Sequence, residues 1–303
     1  PADPSGGIEV AVVQPNIDFG RQWRQEMYGQ NLEVVMEPTL DALRRAAPRL
    51  IVWPESAVTF FVAQDATYRG AIANALAYRQ AQLILGAPHR DVLRDDAPAY
   101  NSAFLLAPSG EVLGRYDKRQ LLPFAEYPPF PSLTLLRRDF GSVASFATGA
   151  PQPPLPTVAG RAGILICNEA MFPPLAGERV RDGAQLLVTL SNDSWVNDVT
   201  FSEIVFTMVA FRAVEQRRWL VRSSTSGPSA IVDPAGRVTV RTRPFTRQAV
   251  LGRVAPRDEL TLYGRWGDWF PLACVAVVGA MLVWRRSRRP AAGRARDRRD
   301  ATP

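Results

Sequence analysis

Three stretches of this sequence carry a short apolar run into a residue able to do covalent or proton-transfer chemistry. Gly163-Ile164-Leu165-Ile166 leads into Cys167, Asn168 and Glu169 before Pro173 and Pro174 end the run. A thiol at a strand end is fixed by a rigid element yet faces the loop beyond, which is the placement a nucleophile needs. Leu50-Ile51-Val52-Trp53-Pro54 leads in the same way to Glu55. The third stretch, Tyr116-Asp117-Lys118-Arg119, continues through Pro123 to Glu126 and holds the only lysine among 36 basic residues. Where charge alone was wanted, this chain uses arginine. Lys118 is therefore expected to do what a guanidinium cannot, as a compact donor with three protons and an adjustable pKa.

These residue types suit acyl transfer through sulfur. A free thiol with a pKa of about 8.5 is only slightly ionised at neutral pH, so Cys167 needs a base or a nearby cation. Glu55, partly buried behind Trp53 and Pro54, suits the base, because burial raises a carboxyl pKa. Lys118 suits the charge that grows on a carbonyl oxygen as it becomes tetrahedral. The backbone N–H of Asn168 is expected as a second oxyanion donor.

Trp-Pro-Glu at Glu55, Tyr-Asp-Lys-Arg at Lys118 and Ile-Cys-Asn-Glu at Cys167, in that order, resemble the Glu-Lys-Cys triad of the nitrilase (carbon-nitrogen hydrolase) superfamily. The apolipoprotein N-acyltransferase branch resembles it most. The similarity extends through Ser191-Asn192-Asp193-Ser194-Trp195 and Leu262-Tyr263-Gly264-Arg265-Trp266-Gly267-Asp268 and covers about Ile8 to Trp284. It implies catalytic Glu55, Lys118 and Cys167, with Glu126 as the family's second glutamate, orienting the lysine or assisting proton transfer. Asn168 and Glu169 are implied as supporting residues, and Asn192 and Trp195 as substrate-binding ones, Trp195 packing against acyl chains. The implied reaction has two steps. Cys167 takes an acyl chain from a phospholipid as a thioester, and the α-amino group of a lipoprotein's N-terminal diacylglyceryl-cysteine then removes it. The sequence departs from the family at Asn168, commonly aromatic, at Ala125, commonly glycine, and at Ser194, Val196 and Asn197.

Composition narrows the alternatives. The net charge is +7, but eight arginines and two aspartates lie beyond Trp284, so the body is nearly neutral. The tail lacks interleaved aromatics, which argues against nucleic-acid binding. Two cysteines in dissimilar settings and a single histidine, His89, form no disulfide pattern and no metal-ligand cluster, so neither cofactor nor metal is expected. One histidine also argues against a Ser-His-Asp hydrolase; His89 is expected to cap a strand end.

The elements that must position these residues follow from periodicity. Strands are expected at Ile8 to Gln14, Leu50 to Trp53, Gln82 to Ala87, Gln185 to Leu190, Trp219 to Ser223 and Ala249 to Val254. Hairpins are expected around Pro108-Gly110 and Asp233-Gly236, and helices over about 22–47, 65–79, 175–182 and 201–217. Phe201, Phe206 and Phe211 are expected in the core. The proline-rich 123–156 stretch reads as a lid over the site. The fold class is α/β, as two sheets covered by helices, and the resemblance implies a nitrilase-like αββα four-layer sandwich. A lead-in over residues 1–7 and a catalytic domain over 8–260 are followed by an apolar segment at 268–284.

That segment holds no charge across the sixteen residues from Trp269 to Trp284. As a helix it covers about 24 Å against a hydrocarbon core of about 30 Å. Flanking tryptophans and the arginines from Arg285 onward favour a transmembrane helix with a cytoplasmic Arg-rich tail over 285–303. The expected location is the bacterial inner membrane, the catalytic domain on its outer face, with phospholipid donor and lipoprotein acceptor as partners. Further spanning segments upstream of Pro1 are expected in the full gene product. The competing readings are a nitrilase-type amidase acting on small carbon–nitrogen bonds and a membrane-tethered module with an inactive site.

Overall fold

Apolar runs bounded by turn residues become strands throughout Pro1–Arg265, the first of two compact units into which the chain divides; the second is Trp266–Pro303. The computed structural model describes residues 6–18, 23–92, 94, 97–127, 145–196 and 198–287. Expectations about residues 1–5, most of the lid (128–144), Asn197 and the arginine tail from residue 288 lie outside the described residues.

The first half runs β1 (Ile8–Gln14), a 3-10 turn (Gln25–Met27), α1 (Tyr28–Arg45), β2 (Leu50–Val52), α2 (Ala66–Ala77), β3 (Gln82–His89), β4 (Tyr100–Leu106) and β5 (Val112–Asp117). The second runs β6 (Leu155–Thr157), β7 (Gly160–Ile166), a 3-10 turn (Cys167–Met171), α3 (Pro173–Arg181), β8 (Leu186–Ser191), α4 (Val199–Gln216), β9 (Trp219–Ser224), β10 (Ala230–Val232), β11 (Val238–Arg241) and β12 (Gln248–Val254). A short α5 (Leu262–Trp266) follows. One sheet has the order β12-β1-β2-β3-β4-β5 and the other β11-β10-β9-β8-β7-β6. In each, three central strands are parallel and the flanking ones antiparallel. The two sheets thus share a plan although the sequence shows no repeat.

Alternation of side chains along the strands builds the layers. Val10 and Val12 of β1, Ile164 and Ile166 of β7, and Leu186, Val188 and Leu190 of β8 meet between the sheets. Ala11 and Val13 point the other way, under α1 and α2, and Leu165 and Leu187 pack under α3 and α4. The expected αββα sandwich is what forms. Asp65 and Asp198 cap α2 and α4, their carboxylates accepting the N–H of Tyr68 at 3.0 Å and of Phe201 at 2.7 Å.

The structure differs from expectation in three places. Strand β6 arises inside the proline-rich stretch, where Pro156 is tolerated because β6 is an edge strand. The strand before Cys167 does not lead into a plain loop but into the 3-10 turn. Phe206 is in the core, but Phe201 and Phe211 are 37% and 56% exposed. Helix α4 is apolar on most of its circumference, so periodicity could not say which arc, here that of Val205, Phe206, Val209 and Ala213, meets the sheet.

The second unit contains α6 (Trp269–Ser287), a helix long and apolar enough to cross a membrane, with every described side chain exposed. Its 19 residues span about 28 Å at 1.5 Å per residue, longer than the uncharged run alone, because the helix continues through Arg285 and Arg286.

Two glycines let backbone pass close to the strand ends. A Cβ on Gly86 of β3 would lie 2.6 Å from both Glu55 Cα and Pro54 O, and one on Gly149 would lie 2.3 Å from Asp117 O. Gly86→Ala is therefore expected to destabilise the fold by about 1–3 kcal/mol, as overpacking against fixed backbone does. The check is urea unfolding, where an unchanged midpoint would contradict the packing argument.

Candidate active site

The polar residues gather where the two sheets' strands end. Glu55 follows β2 through Trp53 and Pro54, Lys118 follows β5, Cys167 follows β7, and Asn192 and Asp193 follow β8. Groups set just beyond the carboxyl ends of parallel strands are where α/β folds hold ligands. Trp53 itself is fully buried, its indole N–H donating to Thr39 at 3.0 Å, which anchors the segment before Glu55.

Lys118 is only 1% exposed. Its ammonium lies 2.8 Å from Glu126 Oε2 and 3.5 Å from Glu55 Oε1. Asn101, near the start of β4, completes the cluster. Its side-chain amide donates to Glu55 Oε1 and to Glu126 Oε1, each at 2.8 Å, while its backbone carbonyl accepts the Lys118 backbone N–H at 2.8 Å. Strand β4 lies between β3 and β5, so Asn101 falls beside the ends that deliver the other groups. Sequence reasoning missed it. The only signal was a pair of polar residues, Asn101-Ser102, at the head of an apolar strand, and Ser102 proves to hold Asp117 at 2.6 Å, one residue before the lysine.

Cys167 is half-buried. Its backbone is left-handed, φ +54°, as are Ser56 (φ +49°) after Glu55 and Phe124 (φ +64°) before Glu126. Non-glycine residues adopt that conformation at a cost and concentrate at functional sites. The following turn is fixed by Glu169, which is wholly buried. Glu169 Oε1 accepts from the N–H groups of Arg119 (2.7 Å) and Gln120 (3.0 Å) and from Tyr116 Oη (3.0 Å), and Oε2 accepts from the Ile166 N–H (2.8 Å). One carboxylate thereby ties the Lys118 segment to the Cys167 strand. Asn168, second in the turn, is buried with its side-chain Oδ1 unpartnered, and its N–H has no partner within the turn by position.

The remaining expected residues sit at the next strand end. Asn192 is buried and accepts from Ser194 N–H (3.2 Å) and Oγ (2.6 Å), which shapes the loop carrying Trp195. Trp195 is 42% exposed and meets Phe201 edge-on, ring centroids 5.9 Å apart. Asp193 turns inward to the fully buried Arg222 at 2.8 Å and to Ser224 at 2.9 Å. His89, expected to cap a strand end, is the last residue of β3, its ring against Asp91 at 2.9 Å and against Arg115. Among the described residues no group of His, Cys, Asp and Glu has the grouping of a metal site.

Electrostatics follow from burial and proximity. Burial pushes the Glu55 carboxyl above the usual carboxylate range; the Lys118 ammonium opposes this, Glu126 adds to it, and the bonds from Asn101 and Cys167 favour the ionised form. Burial would depress the Lys118 ammonium, but Glu55, then Cys167 and Glu126, outweigh it and hold it above its ordinary range. Burial and then the Glu55 charge push the Cys167 thiol well up, with Lys118 offsetting only part. Burial thus favours a neutral thiol and a carboxyl that grips its proton, while the neighbouring glutamates favour the ammonium. Such a set can move the thiol proton to Glu55 as sulfur attacks a carbonyl carbon.

The sequence pattern of the carbon-nitrogen hydrolase family matches residues 9–258. Among curated relatives, the chain is 34% identical over 288 residues to the apolipoprotein N-acyltransferase of Geobacter metallireducens, covering 93% of this chain and 55% of that one. It is 35% identical over 298 residues to the apolipoprotein N-acyltransferase of Azotobacter vinelandii, covering 96% and 56%. The chain spans about half the length of the curated relatives it matches. Among solved structures, an amidase of Nesterenkonia AN1 from the nitrilase superfamily superposes with a TM-score of 0.64 at 18% identity, over 91% of this chain and 100% of that one. The NitFhit protein of C. elegans superposes with a TM-score of 0.63 at 20% identity, over 95% and 66%. At these identities the structures speak for the fold.

Asn101 supplies a test of the cluster. Glu55 must be ionised to accept the thiol proton, so alkylation of Cys167 by iodoacetamide should fall as pH drops through the raised Glu55 pKa. Asn101→Leu removes a donor to the ionised form, which raises that pKa further, so the midpoint should move up by about 1. A midpoint that stays put would show that Asn101 does not hold the carboxylate.

Proposed function

The chain belongs to the carbon-nitrogen hydrolase family, and we propose that it is the catalytic portion of an apolipoprotein N-acyltransferase, working through a Cys167 thioester. The observation that carries this reading is a buried ammonium between two carboxylates beside a thiol on a left-handed turn. The names of the curated relatives supply the substrate class.

In the first step Cys167 Sγ attacks the ester carbonyl of a phospholipid while its proton passes to Glu55. Negative charge gathers on the former carbonyl oxygen, facing Lys118 and the Asn168 N–H. Each such donor is worth about a hundredfold or more in rate. Collapse breaks the carbon–oxygen bond, Glu55 returns the proton to the departing alkoxide, and a lysophospholipid leaves a thioester on Cys167. In the second step the α-amino group of the diacylglyceryl-cysteine attacks that thioester, Glu55 takes a proton from nitrogen, and as the carbon–sulfur bond breaks Glu55 returns that proton to sulfur, restoring the thiol and leaving the amide. Glu126 and Asn101 hold Lys118 and Glu55 in register throughout, and Trp195 offers an exposed ring to an acyl chain.

Helix α6 supports a membrane setting, with Trp269 and Trp284 at its ends and Arg285 and Arg286 in its last turn. Under the positive-inside rule the arginines from Arg285 onward are cytoplasmic. The catalytic domain, residues 8–260, then lies on the outer face of the inner membrane.

Incubation with phospholipid vesicles should add one acyl mass to Cys167, lost on hydroxylamine treatment. Cys167→Ala should abolish the adduct, and Glu55→Gln and Lys118→Arg should each reduce its rate by at least about a hundredfold. Intact-protein mass spectrometry reads this directly. Full-rate acylation by Lys118→Arg would refute the assigned role of the ammonium, and turnover of small amides without any lipid adduct would favour an amidase.

A further inference from the structure

Helix α4 is apolar on the side it turns to the sheet and also on the side it turns to solvent. Phe201, Ile204, Met208 and Phe211, spaced by three and four residues, form one exposed stripe, with Ile204 at 55% and Phe211 at 56% exposure. At 1.5 Å per residue the stripe runs about 15 Å. One end is the rim of the active site, because Phe201 packs edge-on against Trp195 of the loop after Asn192 and Asp193.

The border of the stripe is basic. The hairpin β10–β11 lies alongside α4: Gly236 approaches Val214, and Arg241 reaches across to Glu203 and over the Phe206 ring at 4.7 Å. Arg217 at the end of α4 and Arg237, Arg241 and Arg243 on and beside the hairpin are exposed. The stripe's own acid, Glu203, is already paired with Arg241.

An apolar helical face bordered by arginine is the pattern of a helix that lies in a bilayer interface with anionic lipid. Pairing the same face with a second, antiparallel copy through a twofold axis that runs across α4 would set the arginine borders against each other. We propose that the exposed face of α4 is the surface by which the catalytic unit docks on an anionic phospholipid bilayer. Docking there holds the Trp195 rim at the lipid headgroups, so that a phospholipid acyl ester enters the Cys167 cleft from the plane of the membrane. The purpose of this surface depends on the acyltransferase reading; the docking itself does not.

The test uses the full chain carrying Cys167→Ala and Cys274→Ala, with a single reporter cysteine at Ile204, Met208 or Phe211 bearing an environment-sensitive fluorophore. A control reporter replaces Tyr78, 64% exposed at the end of α2 in the layer on the opposite face of the sandwich. With vesicles of phosphatidylcholine and phosphatidylglycerol, the α4 reporters should shift to the blue and be quenched by spin-labelled lipid severalfold more than the control. Equal quenching at Tyr78 and α4 overturns the proposal. So does a blue shift before vesicles are added, accompanied by a dimeric mass, which would assign the face to a second copy. In the otherwise native chain, combined Ile204→Gln, Met208→Gln and Phe211→Gln should slow acylation from vesicle phospholipid about tenfold while leaving iodoacetamide alkylation of Cys167 unchanged. Undiminished acylation also overturns it. Absence of any acyl adduct on the native chain would sink the acyltransferase reading while leaving the reporter result to stand on its own.

Discussion

A single ammonium held out of water between two carboxylates is the constraint on which the rest of the site depends. Lys118 neutralises one of the charges on Glu55 and Glu126, and the Asn101 amide divides its two donors between them. Burial, and then the Glu55 charge, favour the protonated form of the Cys167 thiol beside this cluster, so on the proposed mechanism sulfur acts as its proton leaves for Glu55. Without the lysine, two carboxylates would stand uncompensated, a loss of about 3–5 kcal/mol for a buried pair broken on one side. The cation proposed to meet the oxyanion is thus also what offsets the burial of the two carboxylates.

Such a cluster needs backbone that cannot drift, and the sandwich provides it by bringing ends of both sheets to one place. Glu55 and Lys118 come from one sheet and Cys167 from the other, and Glu169 fastens the two by taking N–H groups from Arg119 and Gln120 on one side and Ile166 on the other. Gly149 adds a second clamp, its N–H donating to the Lys118 carbonyl at 2.9 Å, and Phe146 N–H holds the Glu126 carbonyl at 2.8 Å. Left-handed backbone at or beside each reactive segment, at Ser56, Phe124 and Cys167, is kept in place by these attachments. Strain of this kind, about 1–3 kcal/mol per residue, persists only where the surroundings over-determine it.

Residues whose chemistry is singular were legible before any coordinates. Lys118 stood out because every other basic side chain is arginine or histidine, and Cys167 and Glu55 because each ends an apolar run. The strands showed themselves through apolar runs bounded by turn residues and the helices through period, whereas the Asp65 and Asp198 caps appeared only in the structure. Asn101 did not show itself, because its role comes from strand order: only after β4 is set between β3 and β5 does an ordinary amide fall between two glutamates. Glu169 read as a weak supporting residue because its four hydrogen bonds go to backbone and tyrosine groups that sequence spacing cannot bring together. Strand β6 was hidden by prolines that an edge strand tolerates. Phe201 and Phe211 misled because a helix apolar on most sides gives the same periodic pattern whichever arc is buried.

What separates an acyltransferase from a hydrolase on this fold cannot lie in the trio itself. On the proposed mechanism Glu55, Lys118 and Cys167 make a thioester and deprotonate the next nucleophile, and nothing in their chemistry prefers an amine to water. Preference must come from what reaches the sulfur and how long it stays. A thioester is more susceptible to amines than to water, which helps, but water is present at far higher concentration. Excluding it requires an apolar cover while the intermediate waits. The acyl chain can supply part of that cover, and Trp195 at the site's rim, stacked edge-on against Phe201, is where protein and lipid surfaces would join. On the proposed mechanism Asn168 and the loop after Asn192 bear on the partitioning of the thioester, and the making of it falls to the carboxylate, ammonium and thiol.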